Sequence, residues 1–228
     1  YEARLPTFGQ FEVLACYGLS IVGAYLHAVS AGRRLQGISL ITMGFVAVVL
    51  GLAVPGVDVA AKPGTEGSNV LLGVHIITAF VGYGFFTLAS LLAATYIVQD
   101  NNLKHKRFGF VFEALPPLEV LDNLMHRQIA IAFPIFTVSV ALGVRHAWLM
   151  GGGTEWLTDP KILATAVTWL VYAILIHLRL RADQHGRKLA DVVMIGLGCV
   201  LFAFIGAPML SASSVHNFVR PAAGGPQP

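Results

Sequence analysis

Six stretches of this chain are apolar over nearly their whole length, and short polar joints between them hold most of the charge. They cover, approximately, residues 11–29, 37–54, 70–98, 128–150, 161–180 and 190–210. About 20 apolar residues in a helix cross the hydrocarbon core of a bilayer. A backbone surrounded by lipid must satisfy its own hydrogen bonds, which favours helix over any open form. The pattern therefore predicts an all-α fold: a polytopic membrane bundle of about six transmembrane helices. The second span is the shortest, and the third is long enough to tilt or to project beyond the bilayer.

Composition agrees with the pattern. Of 228 residues, 56% are hydrophobic and 12% charged, and the mean hydropathy is +0.71. A water-soluble domain carries about 25% charged residues, so this chain cannot cover a water-facing surface. Its net charge of +3 is no sign of nucleic-acid binding, because the basic residues sit in short loops and set topology. Arg33, Arg34, Lys104, Lys106, Arg107, Arg127, Arg179, Arg181, Arg187 and Lys188 fall on one side. Arg4, Lys62, Arg145, Lys161 and Arg220 fall on the other. That bias predicts both termini outside, with an integral protein of the bacterial cytoplasmic membrane as the expected setting. Residues 1–220 read as one transmembrane domain and 221–228, rich in Pro and Gly, as a disordered tail. Cys16 and Cys199 are far apart inside apolar spans and read as small buried residues.

The loop joining the third and fourth spans is the longest on the basic side. It begins Asp100-Asn101-Asn102-Leu103-Lys104-His105-Lys106-Arg107 and continues past Pro116-Pro117 into Leu118, Val120, Leu121, Leu124 and Met125, interleaved with Glu119, Asp122 and Asn123. The second part suits a short amphipathic helix that either lies on the membrane surface or caps the bundle. Gly73, Gly82, Gly84, Ala79 and Ala89 in the third span permit close helix packing or room for a flat ligand, packing being the commoner use. Phe133-Pro134 places a proline inside the fourth span.

The candidate chemistry lies in the histidines. Imidazole is costly in hydrocarbon unless paired or bound to metal. His75, near the start of the third span, and His216, after the sixth, share the outer level; His27 and His177 share the inner one. Haem iron is commonly held by imidazoles from facing helices. Each of the four could also be an ordinary interfacial side chain. His105, His126 and His185 lie in or near basic loops and read as solvated, and His146 stands beside Trp148 in the outer belt. Asp159-Pro160 is a helix-start signal for the fifth span.

A stretch of sequence sharpens this. It runs Arg145-His146-Ala147-Trp148, then Gly151-Gly152-Gly153-Thr154-Glu155-Trp156-Leu157-Thr158-Asp159-Pro160-Lys161, and on through Thr168-Trp169-Leu170-Val171-Tyr172-Ala173 to His177-Leu178-Arg179. It resembles the cytochrome c assembly family, the CcsA/ResC/CcmC and HemX-like haem-handling membrane proteins, over roughly residues 69–218. Leu118 to Arg127 (LEVLDNLMHR) resembles the stretch that precedes that loop. The resemblance implies haem b, one or two groups, for delivery to or maturation of c-type cytochromes. It implies outer ligands His75 and His216, and an intramembrane ligand His177. His27 is the partner that depth suggests. Trp148 and Trp156 would cover the porphyrin, and Lys161 or Arg145 would meet a propionate. Thr158 stands where the family's second loop tryptophan is expected, and Ile162 where a Glu follows Asp-Pro-Lys. That leaves three functions open: a cytochrome c assembly protein, a b-type electron-transfer subunit, or a haem-free HemX-like anchor. The partners expected are membrane lipid and other membrane subunits or c-type cytochromes, and no nucleic acid. No catalytic residue is assigned, and whether the chain is an enzyme stays open.

Overall fold

A computed structural model describes residues 10–30, 36–54, 70–149, 160–181 and 186–203. These residues form seven helices: α1 (Gln10–Ser30), α2 (Gln36–Ala53), α3 (Val70–Lys104), α4 (Phe110–Ala114), α5 (Leu118–Leu149), α6 (Pro160–Arg181) and α7 (Arg187–Leu201). Four of them (α1, α3, α5 and α6) are long and apolar enough to cross a membrane. The apolar part of α2, Gly37–Ala53, is shorter, and the sixth expected span is described only as far as residue 203.

α3 is the axis of the bundle and packs against α5, α1, α7 and α2, while α6 packs on α7 and α5. α5 and α7 run antiparallel to it. On the α5 side, Gly82 meets Phe136, and His75 meets Ser139 and Gly143. On the α7 side, Ser90 reaches Val193 and Asp100 reaches Arg187. The core between them is aromatic: Phe86 stacks on Tyr172 at 3.5 Å between ring centres and meets Phe136 edge-on at 5.5 Å. Leu14 and Tyr17 of α1 share an apolar cavity of about 140 Å³ with Phe45, Leu52 and Leu201, so the start of α1 and the end of α7 lie at the same face.

The small residues of α3 serve packing. A Cβ on Gly84 would stand 2.6 Å from the backbone carbonyl of Ser20, so α1 crosses α3 there with nothing between the two backbones. Gly84→Ala should push the helices apart and cost about 1–3 kcal/mol, the usual penalty of overpacking. Reversible unfolding in mixed micelles measures this, and an unchanged midpoint would show that α1 does not seat on α3.

The segment 118–125 is neither a free surface helix nor a separate cap. It forms the first two turns of α5, with Leu121, Leu124 and Met125 buried. Pro116-Pro117 ends the preceding run, and the Pro117 carbonyl accepts the amides of Val120 and Leu121 at 3.0 and 3.1 Å. α5 stays one helix across Pro134. Nearby, the Thr137 hydroxyl donates to the Phe133 carbonyl at 2.8 Å, and Trp169 Nε1 donates to the Thr137 hydroxyl at 3.0 Å. α6 begins at Pro160, as the helix-start signal implied.

Charges gather at one end of the bundle. Arg179 of α6 pairs with Asp122 of α5 at 2.9 Å, with both side chains about nine-tenths buried. The Gly186 amide donates to the same carboxylate at 3.2 Å. Gly186 has φ +81, and a Cβ there would stand 3.0 Å from the Tyr96 hydroxyl. Arg187 joins Asp100, Asn101 and Asp191 at 2.8–3.2 Å. Asp100 lies beyond the apolar part of α3. Its hydrogen bond from Lys104, helped by Arg187 and opposed by burial, holds its carboxyl below the usual carboxylate range.

Candidate functional site

His75 sits on the second turn of α3, half-buried against α5. Its Nδ1 lies 2.7 Å from the backbone carbonyl of Ser139. A carbonyl only accepts, so the proton is on Nδ1 and the ring's lone pair is on Nε2. The Ser139 hydroxyl returns the contact, donating to the His75 carbonyl at 2.9 Å and lying 3.2 Å from Nδ1. Ser139 itself is 1% exposed. The ring rests over Gly143, where a Cβ would stand 2.7 Å from Cε1 and 3.0 Å from Nδ1. Two helices thus fix one tautomer and one ring position. This is the arrangement that metal-ligating histidines use, with the second ring nitrogen held by a carbonyl.

His27 is on the last turn of α1. Its ring packs on Phe85 of α3, 5.5 Å between centres and tilted by 56°. Its Nε2 is buried and has no hydrogen-bond partner among the described residues. An unpaired polar atom in such a place costs about 1–3 kcal/mol. Phe85 is ten residues past His75 on α3, about 15 Å along the helix.

His177 is exposed on the outward face of α6, in line with Leu163, Val167, Leu170 and Ile174. It does not come together with His27. Gly82 touches Phe136, so Phe85 is level with Phe133, and Phe133 packs on Trp169 of α6 at 5.7 Å. His177 is eight residues beyond Trp169 along α6, about 12 Å by helical rise, beside the Arg179–Asp122 pair. α1 packs mainly on α3 and α2, and α6 on α7 and α5.

Trp148 ends α5 with 72% of its surface exposed. It is five residues past Gly143 and so about 7 Å above the His75 level. His146 is half-buried. His216, Trp156 and the Lys161 side chain lie outside the described residues. Reading the sequence alone missed Ser139 and Gly143. Their spacing of four places them on one helix face, but nothing in the chain pairs that face with His75.

The chain is a helical integral membrane protein whose axial helix presents an oriented imidazole. It matches the family model described as "Cytochrome C assembly protein" over residues 8–213, and it belongs to that family. It is 25% identical to the "Cytochrome c biogenesis protein CcsA" of Porphyra purpurea over 242 residues, which cover 89% of this chain and 74% of the relative. It is 28% identical to "Protein HemX" of Brevibacillus brevis, over 95% of this chain and 78% of that protein. It is 30% identical to the CcsA of Guillardia theta, over 66% of this chain and 54% of that protein. No solved structure matches it.

Proposed function

We propose that this family member holds haem b through His75, with His216 as the second axial ligand, for delivery to or maturation of c-type cytochromes. The observation that carries the reading is the His75 Nδ1 bond to the Ser139 carbonyl, which leaves Nε2 as the ligating nitrogen. The names of the relatives supply the biogenesis context. Bound haem would supply a redox-active iron, which the His75 and His216 imidazoles would hold. The chain's own residues orient the imidazole, keep water out through the apolar α3–α5 contact, and cover the porphyrin with Trp148 and Trp156. Lys161 or Arg145 meets a propionate.

A second haem belongs to the membrane level. His27 is its ligand in this reading, because its buried Nε2 lacks a partner among the described residues. His177 faces out of the bundle and would act with a ligand from a partner subunit rather than with His27. The charge bias supports a setting with the His75 level and the Trp-containing loop on the outer side of a bacterial cytoplasmic membrane.

The purified protein should show b-type haem in a pyridine haemochrome spectrum. Its absence would leave only the haem-free anchor. Thr158, in place of a loop tryptophan, favours the rival electron-carrying subunit. Loss of c-type cytochromes on deletion selects assembly, and quinol-reducible haem in a stable larger complex selects electron transfer.

A further inference from the structure

We propose that residues 103–112, at the basic end of the bundle, are seated in the bilayer surface. Phe108 and Phe110 enter the leaflet, and Lys106 and Arg107 meet anionic lipid headgroups. This inference does not depend on haem.

The first observation is exposure. Phe110 is 86% exposed, more than any other large hydrophobic side chain among the described residues, with Phe108 at 58% and Leu103 at 47%. The second is that the segment is held. α3 ends in a Schellman turn: the Arg107 amide donates to the Asn102 carbonyl at 2.8 Å and the Lys106 amide to Leu103 at 3.1 Å. Lys106 takes the left-handed position, φ 53. Beyond the turn, Phe108 meets Phe112 edge-on at 5.1 Å. Gln99 Nε2 donates to the Phe112 carbonyl at 3.2 Å. The exposed aromatics therefore sit on an anchored loop.

The third observation is depth. The Ala114 carbonyl lies against Gly37 in the first turn of α2. Three residues on, Leu40 is 79% exposed, so the lipid-facing apolar surface of α2 begins there. Phe110 is one helical turn, about 6 Å, from Ala114, close to where that lipid-facing surface starts.

The fourth is charge. Lys104, His105, Lys106 and Arg107 are consecutive and exposed. Lys104 is engaged by Asp100 at 2.7 Å. The only acid between residues 101 and 114 is Glu113. Phenylalanine next to clustered cations is the chemistry that anionic interfaces retain. An acidic partner protein would satisfy the charges, but it would not explain aromatics held at the hydrocarbon edge.

The test uses the full chain with Cys16 and Cys199 replaced by alanine and a nitroxide on Phe110→Cys. It is reconstituted in phosphatidylcholine vesicles with or without roughly a quarter phosphatidylglycerol. We expect the label to relax with oxygen more than with a water-soluble nickel complex, most clearly in the anionic vesicles. Lys106→Asn with Arg107→Gln should lower the phosphatidylglycerol retained per protein by about fivefold per charge removed. Asparagine suits the left-handed backbone at 106, and both side chains are exposed, so the fold is not at risk. A label reached better by nickel, a label shielded from both reagents as under a protein partner, or phosphatidylglycerol retention equal to that of the parent would overturn the proposal.

Discussion

On the proposed haem ligation, Gly143→Ala should strip haem from the His75 level almost as thoroughly as His75→Ala does. The added methyl would stand 2.7 Å from His75 Cε1 and 3.0 Å from Nδ1. α5 cannot retreat freely, because the Ser139 hydroxyl and carbonyl both bind His75 on the same face. The imidazole must swing instead, and it then loses the carbonyl that holds its proton on Nδ1. Loss of such an outer partner typically weakens metal binding about 10–100-fold. Ser139→Ala keeps that carbonyl and removes only the hydroxyl, so its effect should be smaller than that of Gly143→Ala. Haem content per protein and the position of the reduced absorption bands measure both. The thermal midpoint serves as a control for general damage. A Gly143→Ala protein with full haem and an unshifted spectrum would remove His75 from the ligand set.

Asp122→Ala should be the most destabilising single change at the basic end. It leaves the Arg179 guanidinium without its 2.9 Å carboxylate partner and the Gly186 amide without its acceptor. Breaking a buried pair by removing one member costs about 3–5 kcal/mol, because the remaining charge is stranded. Arg179→Met should cost less, since the Asp122 carboxylate keeps the Gly186 amide. Replacing both, with Asp122→Leu and Arg179→Met, should recover much of the loss, since a buried pair is often no better than an apolar substitute. Unfolding curves of this double variant and of its two singles, Asp122→Leu and Arg179→Met, in one detergent give the coupling directly. Strict additivity would mean that the two side chains do not work as a pair.

Much of the architecture was legible before any coordinates. The long apolar runs gave the spans because lipid admits almost nothing but helix, and Asp159-Pro160 marked where α6 begins. Size alone left Gly82 and Gly84 to packing or to a flat ligand, with packing the commoner use, and their contacts with Phe136 and Ser20 decided for packing. The segment after Pro117 was less legible. Its alternation of apolar and acidic positions fits a surface helix, a cap or the first turns of a span equally well. Only its contacts with α3 made it part of α5.

The histidines divide the same way. Their depth could be counted along each span, so His75 and His27 fall at separate levels by sequence and by structure alike. Depth along one helix does not fix depth against another, however. Crossing and tilt set that offset, and they put His27 at Phe85 while His177 stays beside the ion pair on an outward face.

What the chain determined by itself was its solvent, its helices and the residue types able to hold a metal, because these follow from hydrophobicity and side-chain chemistry at single positions. Tertiary structure alone decided which nitrogen of His75 carries the proton, that Ser139 and Gly143 form its seat, and that Asp122 ties Arg179 to Gly186. Each of those is a relation between helices distant in the chain, fixed by how ridges and small residues interlock, and no local pattern encodes the partner.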